Sequence, residues 1–195
     1  QLSGSPDATT QASEIRNALG EVARGLRDLQ FQISPQILFD LGLWAACESL
    51  AANYRTQSGL EVQVVHRMSS SDQEHPLPRP PLPAEVALAL FRGVDELLRN
   101  VVQHAKTDHA RIELREEDDP QDVSTLHIEV QDEGIGFDVL EEEGWAGAGL
   151  FHLRQRMRNV GCLFDIGSEP GHGTRAVLRA RFRREQAGEV WRGLE

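Results

Sequence analysis

Three stretches of this chain alternate apolar and polar residues one by one, and that strict period of two constrains the fold more than any other feature. In "HARIELRE" (109–116), Ala110, Ile112 and Leu114 share one parity, while Arg111, Glu113 and Arg115 share the other. In "TLHIEVQ" (125–131) the apolar set is Leu126, Ile128 and Val130. In "TRAVLRARF" (174–182) it is Ala176, Leu178, Ala180 and Phe182, with Arg175, Arg179 and Arg181 opposite. Successive side chains of a strand point to opposite faces, so each stretch has one dry face and one wet face. A sheet built from them is covered by helices on one side only. The expected class is therefore α+β, a two-layer α/β sandwich and not a doubly wound sheet.

Other elements fit round that sheet. "EVQVVHRM" (61–68) and "CLFDIGS" (162–168) read as further strands. Residues 84–105 read as the strongest helix, with Val86, Leu90, Val94, Leu97, Val101 and Ala105 as its core stripe. "LFHLRQRMRNVG" (150–161) reads as a helix closed by Gly161. Ahead of the sheet, Ile15, Leu19, Val22, Leu26 and Leu29 recur at helical steps. After the interruption "ISPQ", Ile37, Leu38, Leu41, Leu43, Ala46, Leu50 and Ala51 carry a second apolar stripe to about Tyr54. One helix pair buries little by itself, so residues 1–59 read as a helical arm, 60–185 as the domain and 186–195 as a tail. The segment "SSSDQEHPLPRPPLP" (69–83) reads as an exposed Pro-rich spacer.

Composition removes several classes of function. A net charge of −11 argues against a nucleic-acid binder, because phosphate contact is dominated by Lys and Arg. It leaves room for a small anion, which backbone N–H groups at a helix start can hold. Cys47 and Cys162 form no metal or disulfide pattern and read as buried thiols in a reducing compartment. No apolar run approaches the ~20 residues that cross a bilayer. A first residue Gln1 reads as a piece of a longer protein, with room upstream for a membrane segment.

Four short strings carry candidate chemistry. On the strong helix Glu96, Asn100 and His104 stand four residues apart, along one stripe beside the core stripe. They suit either a solvated flank or a site, in which the Asn100 amide oxygen is a hard ligand for Mg²⁺ and Glu96 can take a proton. In "VQDEGIGF" (130–137), Asp132 continues the inward parity of Ile128 and Val130. A carboxylate there needs a donor, and the exocyclic amine of a purine would serve. Gly134 and Gly136 would let backbone approach a flat ring. In "GAGLFHLRQRM" (147–157), Gly147 and Gly149 precede a helix whose first N–H groups could meet a phosphate. "GHGT" (171–174) is by itself an ordinary turn before the last strand.

Taken in order, Glu-x-x-x-Asn-x-x-x-His on a helix, strand-Asp-x-Gly-x-Gly, Gly-x-Gly-Leu-helix and Gly-x-Gly-Thr-strand form a more specific pattern than any one of them. The chain from about residue 84 to 183 resembles the catalytic ATP-binding domain of two-component sensor histidine kinases, in the superfamily shared with gyrase, Hsp90 and MutL. "LRDLQFQISPQILFDLGLWAACESLAANYRTQSGLEVQV" resembles the second dimerisation helix and connection of the nitrate-sensing subfamily. The resemblance implies the Bergerat-type ATPase fold, ATP and Mg²⁺ as ligands, and transfer of the γ-phosphoryl group to a histidine for passage to a response regulator. It implies Asn100 as the Mg²⁺ ligand, Glu96 as the proton acceptor, and His104 as a member of the nucleotide box. It implies Asp132 on the adenine amine with Gly134 and Gly136 against the ring. Gly147, Gly149 and Leu150 then belong to the lid, and Thr174 reaches the adenine–Asp132 pair through water. A cytoplasmic setting follows, with the whole protein compatible with an inner-membrane anchor.

The chain departs from the family pattern in four places. Gln103 replaces a frequent Lys or Arg, Glu133 replaces Asn or Asp, and the short segment 138–146 carries the acids Glu141, Glu142 and Glu143. No histidine precedes His66, so the acceptor histidine is expected on a helix of the same kinase outside this chain, within a homodimer. Two other readings share the four strings. One is a nucleotide-silent interaction module, and the other is an anti-sigma-type serine kinase, against which the helical arm argues.

Overall fold

The computed structural model describes residues 34–67, 82–119, 123–139 and 148–183. The helix expected over 13–29, the Pro-rich segment, the acidic lid residues with Gly147, and the tail lie outside the described residues. By contact the chain divides into Gln1–Gln36 and Ile37–Glu195.

Helix α1 (Ser34–Ser58) is broken at Gly42, whose backbone (φ 87°, ψ 175°) is not helical. Strand β1 (Glu61–Arg67) follows, then α2 (Ala84–Asn100), which runs on into a single π-turn over Val101–Ala105. Next come β2 (His109–Asp119), β3 (Val123–Asp132), α3 (Ala148–Asn159), β4 (Leu163–Ser168) and β5 (Thr174–Arg183). The five strands form one sheet in the order β1-β2-β3-β5-β4, parallel between β1 and β2 and antiparallel elsewhere.

The alternation in sequence becomes two unlike faces. On the covered face Ile112, Ile128 and Leu178 are inaccessible to solvent, and Ala110, Leu114, Leu126, Val130, Phe164, Ala176, Ala180 and Phe182 are buried with them. The stripe of α2 (Leu90, Val94, Leu97, Leu98) and Leu153 and Met157 of α3 supply the opposing layer. At Gly93 a Cβ would stand 2.9 Å from Leu178 and 3.1 Å from Leu153, so the helix lies close on both sheet and neighbour. The other face carries ion pairs: Arg67 and Arg111 on Glu113, both Arg175 nitrogens on Glu129, and Arg179 on Asp165. This is the one-sided α+β sandwich that the period of two predicts.

The described part of the arm packs as part of the second unit. Leu38, Ala46, Cys47, Leu50 and Ala51 are buried. Trp44 meets the His66 ring at 5.1 Å, and the Tyr54 hydroxyl donates to the Asp95 carbonyl (3.1 Å) and carboxylate (2.9 Å) of α2. These contacts tie residues 37–58 to β1 and α2. Leu41, on the expected stripe, is 59% exposed beside the break at Gly42, which interrupts the helical register that the stripe needs. Both cysteines are buried, and burial, with a smaller effect from Glu48, pushes the Cys47 thiol up to about 12.

Candidate functional site

Two ladders generate the site. Reading across β3, β5 and β4, the rows of the covered face run Ile128–Leu178–Phe164, then Val130–Ala176–Ile166, then Asp132–Thr174–Ser168. The first two rows are apolar. The last is polar in all three strands, and Asp132 in it is only 6% exposed. Beside Ser124 at the other end of β3, Asp132 is the only buried polar or charged residue among the described residues.

Desolvation raises the pKa of the Asp132 carboxyl, and hydrogen bonds from the Gly134 N–H and from the Thr174 N–H and hydroxyl pull it back down. The Gly134 N–H lies 2.8 Å from Oδ1. A carboxylate offers about four lone-pair sites. Three described donors leave about one for a donor from outside, which is what the amine of a purine would bring. Thr174 stands directly opposite Asp132 in the ladder and hydrogen-bonds to its carboxyl.

The loop after β3 is stitched to three other segments. The Ile135 N–H donates to the Ala105 carbonyl at 2.8 Å, taking an acceptor that the end of the π-turn leaves free. The Gly171 N–H donates to the Ile135 carbonyl at 2.6 Å, and the Phe137 N–H to Ser168 Oγ at 3.0 Å. Gly134 and Gly136, read from sequence as clearance for a flat ring, are also required by the protein's own packing. A Cβ on Gly134 would strike the Ala105 carbonyl, and one on Gly136 (φ 60°) the Glu169 carbonyl.

The helix string also differs from its sequence reading. An even spacing of four predicts one straight stripe through Glu96, Asn100 and His104, but the π-turn begins at Val101 and its i→i+5 bonds widen the coil there. Glu96 and Asn100 are half-buried neighbours, whereas His104 and Gln103 are exposed on the widened turn. Glu96 pairs with Arg99. Gly149, in the first turn of α3, is set against this flank: a Cβ on it would collide with Glu96 Oε1 and stand 4.0 Å from Asn100 Oδ1. Leu150 follows it, half-buried. Glu133 is exposed.

The strings are therefore joined in pairs: Ala105 to Gly134 and Ile135, Glu96 to Gly149, and Asp132 to Thr174. The residue that sequence reasoning passed over is Ser168. Its signal was present, since Phe164, Ile166 and Ser168 continue one inward parity onto a hydroxyl, just as Ile128, Val130 and Asp132 continue onto a carboxylate. No group of three or more His, Cys, Asp or Glu able to hold a metal exists among the described residues. An amide and a carboxylate are nonetheless a fitting partial set for Mg²⁺, which keeps several waters and takes phosphate oxygens.

A one-sided mixed sheet covered by helices, whose covered face closes on a polar row, is the architecture of a Bergerat-type ATPase domain. A family model for the histidine kinase-, DNA gyrase B-, and HSP90-like ATPases matches residues 85–184, and the chain belongs to that family. It is similar to the sensor histidine kinase MctS of Rhizobium johnstonii, 29% identical over 175 residues that cover 88% of this chain and 35% of that protein. An uncharacterized sensor-like histidine kinase of Chloroflexus aurantiacus is 28% identical over 175 residues, covering 88% of this chain and 28% of the relative. The chain thus spans about a third of the length of the curated relatives it matches. Among solved structures, the blue-light activated histidine kinase EL346 of Erythrobacter litoralis superposes with a TM-score of 0.56 at 19% identity, over 95% of this chain and 63% of that one. That likeness bears on the fold.

Proposed function

We propose that this chain is the ATP-binding catalytic part of a two-component sensor histidine kinase of the nitrate-sensor-like subfamily. One observation carries the reading: a buried carboxylate with an acceptor site to spare ends the covered face, within a domain of this ATPase family. Asp132 receives the exocyclic amine of adenine, with Thr174 beside it and Gly134 and Gly136 shaping the loop. Asn100 holds Mg²⁺. Gly147, Gly149, Leu150 and the first N–H groups of α3 face the phosphates, and His104 flanks them. A metal held there would neutralise charge on the phosphates.

The acceptor histidine lies on a helix of the same kinase outside this chain, presented within a homodimer. The bond from the γ-phosphorus to its bridging oxygen breaks as a P–N bond to the imidazole forms, and Glu96 accepts the imidazole proton. The phosphoryl group then passes to a response regulator. By itself the chain binds ATP and does not phosphorylate itself. Residues 1–59 are the remnant of the dimerisation segment, 60–185 the catalytic domain and 186–195 a tail. The domain works in the cytoplasm, with the whole protein open to membrane anchorage, and the charge of −11 disfavours nucleic acid as a partner. No helix of the described residues is long and apolar enough to cross a membrane.

The test is an ATP titration by calorimetry with and without Mg²⁺. Wild type should bind, Asn100→Ala should lose the Mg²⁺ dependence, and Asp132→Asn should weaken binding. Wild type that binds no ATP, or an Asp132→Asn variant that binds as wild type does, would sink the reading.

A further inference from the structure

Ser168 ends β4 as the third member of the polar row, and its hydroxyl has three polar neighbours. The Phe137 N–H donates to Oγ at 3.0 Å, Oγ lies 2.7 Å from the Gly173 carbonyl, and Thr174 Oγ1 stands at 3.1 Å. A serine hydroxyl has one proton and two lone pairs. The Gly173 carbonyl can only accept, so the proton of Ser168 goes there. Phe137 fills one lone pair. The second lone pair is left for the hydroxyl proton of Thr174.

Thr174 stands between two acceptors, Ser168 on one side and the Asp132 carboxylate on the other. Its one proton can serve either. With the base pocket empty, the carboxylate and Ser168 share it. A ligand amine that takes the spare site of Asp132 is held more strongly the fewer other donors share the carboxylate charge, and Thr174 has a second acceptor in Ser168. Resting on the ATP reading, we propose that Ser168 is a specificity-determining positioning residue, whose second lone pair draws the Thr174 proton so that Asp132 holds the amine of a 6-aminopurine more strongly. The geometry keeps the exchange short, because Asp132, Thr174 and Ser168 are direct cross-strand partners on one face. The Phe137 and Gly173 bonds hold Ser168 from two loops, so its acceptor does not wander. A 6-oxopurine, which donates nothing at that position, gains nothing from the exchange.

The experiment compares ATP with inosine triphosphate, which carries oxygen where adenine carries its amine, by titration of the whole chain in Mg²⁺. Wild type should prefer ATP. Ser168→Ala should lower ATP affinity roughly three- to tenfold, the range of one neutral hydrogen bond, with inosine triphosphate affinity unchanged. Ser168→Thr keeps the hydroxyl and should retain the wild-type ratio, while the near-isosteric Ser168→Val should lose it. That pair decides the matter if the alanine variant does not fold. An equal loss for both nucleotides would make Ser168 a residue of the fold only and overturn the proposal, as would an unchanged ratio in Ser168→Ala or Ser168→Val. Wild type that binds neither triphosphate fails the ATP reading itself, a result distinct from either of those.

Discussion

Two rows of the same covered face invite comparison. Ile128–Leu178–Phe164 and Asp132–Thr174–Ser168 are drawn from the same three strands, four residues apart along β3. At about 3.4 Å per residue they lie ~13 Å from each other. The first row is pressed beneath α2 and α3 and holds the fold. The second is polar, and its groups bond one another and the backbone of the adjoining loops. One sheet therefore serves stability and recognition by changing residue type along its length, with no change of backbone.

The largest test of that contrast removes the apolar row. Leu178 is inaccessible to solvent, so Leu178→Ala should lower the unfolding free energy by about 2–5 kcal/mol in chemical denaturation. The folded fraction should still bind ATP with wild-type affinity. A parallel loss of affinity would show that the two rows are not separable.

The converse substitution comes next. Asp132→Asn should weaken ATP binding by about 1.5–3 kcal/mol, the range for hydrogen bonds to a charged group. It should leave the melting temperature of the free protein unchanged or higher, because burial raises the pKa of this carboxyl and its ionisation opposes folding.

The same group predicts opposite pH trends. A carboxyl whose folded pKa exceeds its unfolded value, 3.8 here, contributes stability that is complete below 3.8 and is lost as pH rises through the folded pKa. ATP affinity should rise across that same window, since the ionised acceptor takes the amine better. Melting and titration series in wild type and Asp132→Asn check both, and the asparagine variant should show neither of these contributions from residue 132.

The smallest effect belongs to the wet face. Arg175 grips Glu129 with two nitrogens but is exposed, so Arg175→Ala should cost no more than ~1 kcal/mol and leave nucleotide binding unaltered.

What the sequence made legible follows from periodicity. Strand faces, the burial of Asp132 and the long helix could be read because alternation and helical stripes report which side meets the core. The π-turn could not: Val101–Ala105 keeps an apolar pattern fit for an α-helix, and its widening answers to tertiary contacts such as the Ile135 N–H on the Ala105 carbonyl. The break at Gly42 was hidden for a similar reason, as one glycine in an apolar stripe is compatible with an unbroken helix. Gly134 and Gly136 were marked as special for a ligand, and a further reason for glycine lies in backbone distant in sequence. Ser168 had a readable parity and no striking neighbours, and only the pairing of β4 with β5 made it a partner of Thr174.

The loop from Glu133 to Phe137 is held by its peptide groups: Gly134 to Asp132, Ile135 to Ala105 and Gly171, and Phe137 to Ser168. Its side chains at Glu133 and Ile135 are exposed. Every non-proline residue supplies the same N–H and carbonyl, so those two positions are free to drift in sequence while the wall of the pocket stays where it is. Glu133, which departs from the usual family residue, is then a record of that freedom, and a library randomised at 133 and 135 should retain ATP binding in most of its members.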